Sequence, residues 1–353
     1  MTFFNFSLLL LIGSFVISYI LIPKIRAIAK VSNFSSTPNH RSSHSEVVPN
    51  IGGVAFYVTL MLSFYFIQKF DTYNTLHSLL PGLTIIFIIG LKDDLIIVAP
   101  TTKLIAQILS GVFLVFHPSF ELLNFKGFLW VFEINYFVGL LIVVFINVLI
   151  INALNLIDGI DGLAGIVSIV IFSSFLVIYC MLERYFLCCI SVIMIGSILA
   201  FLKFNFSKNN KIFMGDTGSM LIGFIISIMT LRLIAMPSDK LDSFGFQLQN
   251  IPFLIFAILS IPLLDLIRVF VLRILSGKSP FEADRTHLHH ILLDYFKTTH
   301  LQTSMIIGFL NLIIVLAFSL LVHKLNQIHL FAIVISLLAI YIYVLSKIKQ
   351  KIV

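Results

Sequence analysis

The chain has 353 residues, of which 59% are hydrophobic and only 11% are charged. Its mean hydropathy is +1.08, whereas soluble globular domains carry about 25% charged residues. This composition excludes an ordinary soluble domain and predicts an all-α polytopic membrane protein, because stretches long enough to span a bilayer recur from end to end. No polar stretch is long enough for a separate soluble domain, so residues 1–353 are predicted to form a single integral-membrane domain.

The formal net charge is +7. In a soluble protein such a charge would suggest nucleic acid, but here basic residues are expected beside membrane helices, and no nucleic-acid partner is predicted. The three cysteines, Cys180, Cys188 and Cys189, lie in apolar stretches and are odd in number. They are interpreted as core residues and not as a disulfide framework or a metal site. The first 22 residues lack a basic segment and a small-residue cleavage site, which predicts a retained first span.

About eleven membrane helices are predicted in chain order from the recurring apolar stretches. The third is short. The predicted spans are 3–22, 51–69, 79–91, 101–117, 135–151, 162–182, 185–206, 217–236, 251–275, 301–322 and 328–346.

The loops between these spans divide the basic residues unequally. The segments on one side hold 17 of the 23 Lys and Arg residues, and those on the other side hold the remaining 6. Because basic residues accumulate in cytoplasmic loops, the richer side is predicted to be cytoplasmic. The N-terminus is then outside and the C-terminus cytoplasmic.

Five polar clusters fall on the predicted cytoplasmic side, in five different loops or helix ends. Polar groups close to a bilayer are costly and usually functional, so a composite site at this interface is predicted. The clusters are Arg41/His44, Asp93/Asp94, 152–161, 215–219 and 284–290.

Asp93 and Asp94 form an adjacent carboxylate pair after the apolar run IIFIIG. Two neighbouring carboxylates repel each other unless a cation is close. Lys92 and Lys103 are candidates, but a hard divalent cation is the natural partner of oxygen ligands. The alternative is a solvated turn after a span.

The segment NALNLIDGIDGLAG carries the strongest single signal. Asn152, Asn155, Asp158 and Asp161 recur at every third position and are interleaved with glycines. At that spacing they stay near one flank of a helix or tight turn, and the glycines permit close approach of a phosphate or a neighbouring helix. No structural requirement explains two amides and two carboxylates between membrane spans.

The segment FMGDTGS introduces the eighth predicted span. Asp216, Thr217 and Ser219 could be ordinary helix caps. Alternatively, the helix N-terminus is a phosphate site, and the Asp216 carboxylate would hold a metal that bridges to that phosphate.

The segment DRTHLHH contains three histidines, His287, His289 and His290, within four residues. This spacing is poor for zinc. The histidines and Arg285 are predicted to donate hydrogen bonds to phosphate or sugar oxygens; the alternative is a basic loop beside the membrane. Asp265, inside a predicted span, is expected to form a bundle-stabilising ion pair with Arg268 and no catalytic role.

Taken together, these motifs resemble one known family across nearly the whole chain. The order R-x-x-H-x(4)-P-x-x-GG, G-x-x-DD, NALNLIDGIDGLAG, FMGDTGS and DRTHLHH is similar to that of the polyprenyl-phosphate N-acetylhexosamine-1-phosphate transferases. DRTHLHH resembles the branch that starts O-antigen, teichoic acid and related glycans. Two positions depart from the family pattern, Ser36 and Ile97, where acidic residues are often found.

The resemblance implies a role for each candidate residue. It implies that Asp216 is a metal ligand and that Asn155 lies in or near the coordination sphere. It also implies that the four aspartates of the two central motifs are catalytic. Substrate binding is implied for the basic and amide residues. The catalytic candidates are Asp93, Asp94, Asp158 and Asp161; the substrate-binding candidates are Arg41, His44, Lys103, Asn152, Arg285, His287, His289 and His290.

The implied reaction moves a sugar 1-phosphate from a UDP-N-acetylhexosamine to polyprenyl phosphate, with Mg²⁺ as cofactor and Mn²⁺ as the second candidate. The implied location is the bacterial inner membrane with the site facing the cytoplasm. Whether an aspartate acts as a base or as a nucleophile, which sugar is used, and whether the protein is a homodimer are left open. A transporter, which would place polar residues near the bilayer midplane, and a CDP-lipid phosphatidyl transferase are the alternatives.

Overall fold

A computed structural model describes residues 2–31, 48–117, 120, 122, 124–241, 245, 247–277 and 287–352. Within these ranges the chain forms α-helices, one small hairpin and short 3₁₀ turns. The helices are α1 (Phe3–Val31), α2 (Gly53–Ile67), α3 (Thr75–Leu95), α4 (Pro100–Val115), α5 (Tyr136–Ile157), α6 (Leu163–Met181), α7 (Tyr185–Asn205), α8 (Gly215–Ile234), α9 (Ser238–Leu241), α10 (Ile251–Ile258), α11 (Ser260–Leu275), α12 (Leu288–Phe296), α13 (His300–Lys324) and α14 (Gln327–Ile352). The hairpin pairs β1 (Asn124–Phe128) with β2 (Val131–Glu133) in antiparallel fashion.

The predicted all-α polytopic membrane fold is confirmed. Among the described residues, nine helices are long and apolar enough to cross a membrane, and the bent pair α10–α11 would make ten. The predicted span 101–117 corresponds to α4, a shorter apolar helix of 16 residues. Each predicted span lies on one helix, except 251–275, which lies on two. The number eleven and the orientation of the termini stay predictions.

The predicted span 251–275 is divided at Leu259, where α10 and α11 meet at an angle of 77°. Pro262 explains the break, because it has no N–H to donate to the carbonyl of Ile258 and its ring would clash there. The freed Ile258 carbonyl accepts a hydrogen bond from Asn311 Nδ2 at 3.3 Å. Asn311 Oδ1 also accepts from Ser260 Oγ at 3.1 Å, so α13 supplies the hydrogen bonds that the bend requires.

Helix α8 forms the centre of the bundle and is buried along nearly its whole length. It is apolar on all sides, as expected for a helix enclosed by other helices, and packs between α3 and α5. The start of α8 lies beside the ends of α3 and α5: a Cβ added to Gly90 of α3 would come within 2.7 Å of Thr217. This antiparallel arrangement brings three of the predicted polar clusters to one end of the bundle.

The β1–β2 hairpin was not predicted and lies at the other end of α8. Lys126 Nζ donates a hydrogen bond to the carbonyl of Ile234 at 2.7 Å, at the last residue of that helix. A lysine at a helix C-terminus satisfies an orphan carbonyl and complements the helix dipole. Leu129 N donates to Gln327 Oε1 at 2.8 Å, which connects the hairpin to α14.

Candidate active site

Asp94, near the end of α3, fixes the start of α8. Its Oδ1 accepts from the backbone N–H of Asp216 at 2.8 Å. Its Oδ2 accepts from the N–H of Thr217 at 3.0 Å and from Thr217 Oγ1 at 2.5 Å. Asn50 Nδ2 donates to Oδ1 at 3.4 Å. The cap of α8 thus comes from another helix and not from its own Asp216, Thr217 or Ser219.

Gly215 makes this cap sterically feasible. It has φ of +73°, and an added Cβ would lie 1.8 Å from the carbonyl oxygen of Asn50 and 2.5 Å from Asp94 Oδ2. Any side chain would therefore clash with the cap and strain the backbone. The glycine of the FMGDTGS motif allows α3 and α8 to meet at the site.

Lys103, in the first turn of α4, lies between two carboxylates. Its Nζ is 2.7 Å from Asp93 Oδ2 and 2.5 Å from Asp216 Oδ2. Asp93 Oδ1 also accepts from the N–H of Val98 at 2.8 Å, which fixes the turn from α3 to α4. The shared ammonium group reduces the repulsion between two half-buried acids. The structure therefore brings together three residues that the sequence placed in separate motifs.

The end of α5 brings Asn155 and Asp158 to the same cluster. Asn155 Nδ2 donates to Ser219 Oγ at 2.9 Å and contacts the Asp216 carboxylate. Asp158 follows the last residue of α5 and is half-buried. Burial, together with the negative charges of Asp216 and Asp94, raises the pKa of Asp158 to about 8. No hydrogen bond from another described residue compensates its charge, so this carboxylate is well suited to a cation or a proton.

Asn152 forms an amide pair with Gln107, one turn after Lys103 on α4. Asn152 Nδ2 donates to Gln107 Oε1 at 2.7 Å and to the carbonyl of Val148 at 2.8 Å. The buried Asn147 extends the contact by donating to the carbonyl of Gln107 at 2.9 Å. The pair connects α4 to α5 and thereby positions Lys103. Gln107 was not among the predicted site residues. Its position four residues after Lys103 on an apolar helix could have indicated it, because residues at that spacing share one helix face.

Asp161 is held by residues from two other parts of the chain. Its Oδ2 accepts from Lys211 Nζ at 2.7 Å and lies 2.9 Å from His300 Nδ1. Its carbonyl accepts from Ser304 Oγ at 2.8 Å. Burial alone would raise the pKa of Asp161, but the hydrogen bonds from His300 and Lys211 outweigh it and lower the pKa. Sequence reading missed Lys211 and His300, because neither belongs to a motif.

The histidine segment is anchored by Asp265 of α11. Asp265 Oδ2 lies 2.8 Å from His287 Nδ1, and Oδ1 accepts from the N–H of Leu288 at 2.9 Å. Arg268 Nη2 donates to Oδ1 at 2.8 Å, and all of these groups are buried. The predicted Asp265–Arg268 ion pair is confirmed. The structure adds that Asp265 also holds the first turn of α12.

His289 packs against the DGIDG loop. A Cβ added to Gly159 would lie 2.1 Å from His289 Nε2, so the ring touches the backbone there. Burial, and next the neighbouring His290, lowers the pKa of His289 to about 3, which keeps the ring neutral at pH 7. The ring planes of His287 and His289 are stacked at 5.8 Å, and the His290 ring lies 4.3 Å from that of His289.

The predicted candidates Arg41, His44 and Arg285 lie outside the described residues.

A divalent cation fits the donors that this cluster presents. Among the described residues, no three His, Cys, Asp or Glu side chains form a preformed metal centre. Mg²⁺ does not require one, since it is usually bound by one or two carboxylates together with substrate phosphates and water. Asp216, Asp158 and the carbonyl of Asn155 are oxygen donors, and Asp158 is not engaged with another described side chain.

The fold and this cluster define a multi-pass membrane protein whose acidic groups converge at the ends of its helices. The chain matches the family described as glycosyl transferase family 4 over residues 76–234, from the second residue of α3 to the end of α8. It is 29% identical, over 93% of its length and 88% of the relative's, to a probable undecaprenyl-phosphate N-acetylglucosaminyl 1-phosphate transferase of Bacillus subtilis (strain 168).

Two further relatives carry similar names. The chain is 28% identical to the undecaprenyl-phosphate alpha-N-acetylglucosaminyl 1-phosphate transferase of Haemophilus influenzae, over 76% of this chain and 74% of the relative. It is 25% identical to the protein of the same name in Escherichia coli (strain K12), over 80% of this chain and 75% of the relative. The matched family region contains the Asp93–Lys103–Asp216 contact and the end of α5.

Proposed function

We propose that the protein transfers an N-acetylhexosamine 1-phosphate group from a UDP-sugar to polyprenyl phosphate and releases UMP. The observation that carries the proposal is the Asp93–Lys103–Asp216 contact with Asp158 beside it, in the region that matches this family. The names of the relatives supply the lipid acceptor and the sugar phosphate. N-Acetylglucosamine is the first sugar to test, and initiation of a cell-surface glycan is the proposed biological context.

The position of the cluster at helix ends suits this reaction. A polyprenyl tail would stay among the apolar outer faces of the helices, while its phosphate lies at headgroup depth. A nucleotide sugar is too polar to enter the bilayer and would reach the helix ends from water. We propose that these ends face the cytoplasm of a bacterial inner membrane, since most of the basic residues lie in the same loops.

Mg²⁺ would be held by Asp216 with help from Asn155 and Asp158. When bound, it would neutralise charge on the diphosphate and on the leaving UMP. Asp158 supports this assignment, because its ionised form is disfavoured in the protein alone and would be stabilised by a cation.

The chain's own residues position two phosphates for direct transfer. An oxygen of the lipid phosphate would attack the β-phosphorus, and the bond from that phosphorus to the bridging oxygen would break as UMP leaves. Because phosphate monoesters have a second pKa near ~6, the nucleophile is already ionised at neutral pH and a strong base is not needed. Lys103 would orient phosphate oxygens, and Asp93 would orient Lys103. Such chemistry depends mainly on positioning and charge neutralisation.

The hydrogen bonds of Asp94 and Asp161 support the proposal that both residues act by positioning other groups of the site. The carboxylate of Asp94 holds the start of α8, and that of Asp161 holds the DGIDG loop through Lys211 and His300. Each would position the groups that touch substrate.

Turnover by the purified full-length protein tests the proposal. With undecaprenyl phosphate, Mg²⁺ and labelled UDP-N-acetylglucosamine, we expect labelled lipid and stoichiometric UMP, and a panel of UDP-N-acetylhexosamines identifies the sugar. Asp216→Ala should abolish turnover. Glu133→Ala, which removes an exposed carboxylate of the hairpin, should not change it. A folded wild-type protein that uses none of these donors would rule the function out.

A further inference from the structure

The β1–β2 hairpin, at the opposite end of α8 from the candidate active site, has an exposed apolar tip. Phe128 pairs with Val131, so Leu129 and Trp130 form a two-residue turn between the strands. Trp130 is 64% exposed and Phe132 is 63% exposed, and Leu129 and Val131 are exposed as well. These four consecutive apolar residues, 129–132, are called the hairpin tip below. Exposed apolar patches of this kind mark interaction surfaces more often than isolated apolar residues do.

The two residues at the turn are unfavourable choices for its backbone conformation. Leu129 and Trp130 have positive φ angles of +49° and +64°. Two-residue hairpin turns of this type favour Asn-Gly, which adopts positive φ readily, whereas bulky side chains rarely do. The turn therefore combines backbone strain with two exposed apolar side chains, and small polar residues would avoid both. Strain at an exposed position suggests a function for the side chains that are kept there.

Contacts with three helices fix the position of the hairpin. Besides the hydrogen bond to the last residue of α8, the Phe128 ring meets Phe253 of α10 edge to face, with ring centres 5.4 Å apart. The N–H of Leu129 donates to the side chain of Gln327, the first residue of α14. The hairpin thus lies where α8 ends and where α10 and α14 begin. Helices that span a bilayer leave its hydrocarbon core near their ends, at the depth of the lipid headgroups.

The surfaces beside the hairpin tip are apolar and face outward from the bundle. Helix α14 is buried along only a small part of its length, and Ile328 and Phe331 near its start are exposed. Helix α5 begins four residues after Phe132 and exposes Tyr136 and Phe137 in its first turn. The hairpin tip therefore continues the outer apolar surface of a membrane protein. Tryptophan and tyrosine are enriched where such a surface meets the headgroups.

We propose that the hairpin tip inserts into the lipid headgroup region of the leaflet at this end of the bundle, with the Trp130 and Phe132 rings among the lipids. Tryptophan suits this depth because it combines a large apolar ring with one N–H donor. Removing both rings from water offsets the strain of the turn. The three-helix attachment would make the hairpin a rigid anchor that sets the depth of the bundle in the bilayer. The proposal does not depend on the transferase function, because no residue of the tip belongs to the candidate active site.

The fluorescence of the unsubstituted protein tests the proposal, because Trp130 is the single tryptophan of the chain. The full-length protein is placed in phosphatidylcholine nanodiscs, which leave both faces of the bilayer open to water. Two brominated phosphatidylcholines serve as quenchers, one with bromine close to the headgroup and one with bromine close to the end of the acyl chain. Iodide is the quencher in water, and free N-acetyltryptophanamide is the water-exposed reference.

Two variants calibrate the measurement. Trp130→Phe gives the background emission of the tyrosines. Phe145→Trp in the Trp130→Phe background moves the single tryptophan to an exposed position on α5, nine residues or about 14 Å from the start of that helix. This variant is the standard for a ring deep in the hydrocarbon core. The decisive measurement needs no substitution, so it does not depend on the folding of either variant.

We expect Trp130 to emit at a shorter wavelength than the reference, to be protected from iodide, and to be quenched most by bromine close to the headgroup. The deep standard should be quenched most by bromine close to the end of the acyl chain. Emission and iodide quenching equal to those of the reference, without quenching by brominated lipid, would overturn the proposal. A shifted emission that neither brominated lipid quenches would place the tip in a contact with protein, such as a second copy of this chain, and would overturn it too. So would quenching of Trp130 with the depth profile of the deep standard.

Discussion

Asp94 and Asp158 are aspartates of one acidic cluster, and the structure predicts opposite consequences when each is replaced. Asp94→Ala leaves two backbone N–H groups at the start of α8, and the Thr217 hydroxyl, without their acceptor. Loss of a helix cap costs about 0.5–2 kcal/mol, and each buried donor left unsatisfied costs about 1–3 kcal/mol. Because these contributions overlap, we expect a loss of roughly 2–5 kcal/mol in the free energy of unfolding.

Asp158→Asn removes a carboxyl group that has no hydrogen-bond partner among the described residues and whose ionised form is disfavoured by burial and by Asp216. Its folded-state pKa lies above the unfolded value, so the ionised side chain destabilises the protein above the unfolded pKa. The asparagine variant should therefore keep or raise Tm at pH 7, while turnover is lost.

Thermal unfolding in detergent, followed beside the transfer assay, separates the two aspartates. At roughly 2 °C per kcal/mol for a large chain, Asp94→Ala should lower Tm by about 4–10 °C, and Asp158→Asn should not lower it. An Asp94→Ala protein as stable as the wild type would refute the assigned cap. Equal destabilisation by both variants would refute the conclusion that Asp94 stabilises the fold whereas Asp158 is needed only for turnover.

Three further predictions concern the surroundings of the site. Lys103→Met should reduce turnover by roughly 10²–10³-fold, the usual cost of one positioned electrostatic group, with partial recovery in Lys103→Arg; unchanged kinetics would contradict its placement. Asp161→Asn should lower the free energy of unfolding at pH 7. Because the pKa of Asp161 is lowered in the folded protein, that difference should shrink as the pH falls below the ordinary value and through the folded one, which unfolding curves recorded at successively lower pH from pH 7 would show. Asp265→Asn should cost about 3–5 kcal/mol, since it breaks a buried ion pair, whereas the exposed Asp294→Asn should leave Tm unchanged.

Hydrophobic length and composition were sufficient to predict the long apolar helices but not the short α9 and α12, because only a spanning segment must satisfy all of its own backbone hydrogen bonds. The spacing of apolar runs could not show that 251–275 bends by 77°. That bend depends on a partner, Asn311 on another helix, whose amide replaces the hydrogen bond that Pro262 cannot donate to the Ile258 carbonyl. The hairpin was missed for a similar reason, since Lys126 and Leu129 are fixed by contacts with α8 and α14.

The motifs predicted the acidic cluster but not the separate roles of its aspartate residues. Asp93 and Asp94 are adjacent in sequence, yet one side chain contacts Lys103 and the other caps α8. Neighbouring positions on a helix point in directions about 100° apart, so adjacency places two side chains on different surfaces. Only the packing of α3 on α8 decides which carboxylate meets backbone N–H groups and which meets the ammonium group.

The central helix α8 is fixed at both ends by charges of the favourable sign. Asp94 accepts hydrogen bonds at its N-terminus and Lys126 donates one at its C-terminus, which is the arrangement that the helix dipole favours. Both charged groups come from other elements. Any sliding or rotation of α8 would therefore break contacts at both of its ends. Asp216 is carried on this fixed helix, and its carboxylate is therefore held in place before any substrate arrives. For phosphoryl transfer, which depends on positioning more than on covalent chemistry, a central helix anchored in this way is the principal contribution of the fold.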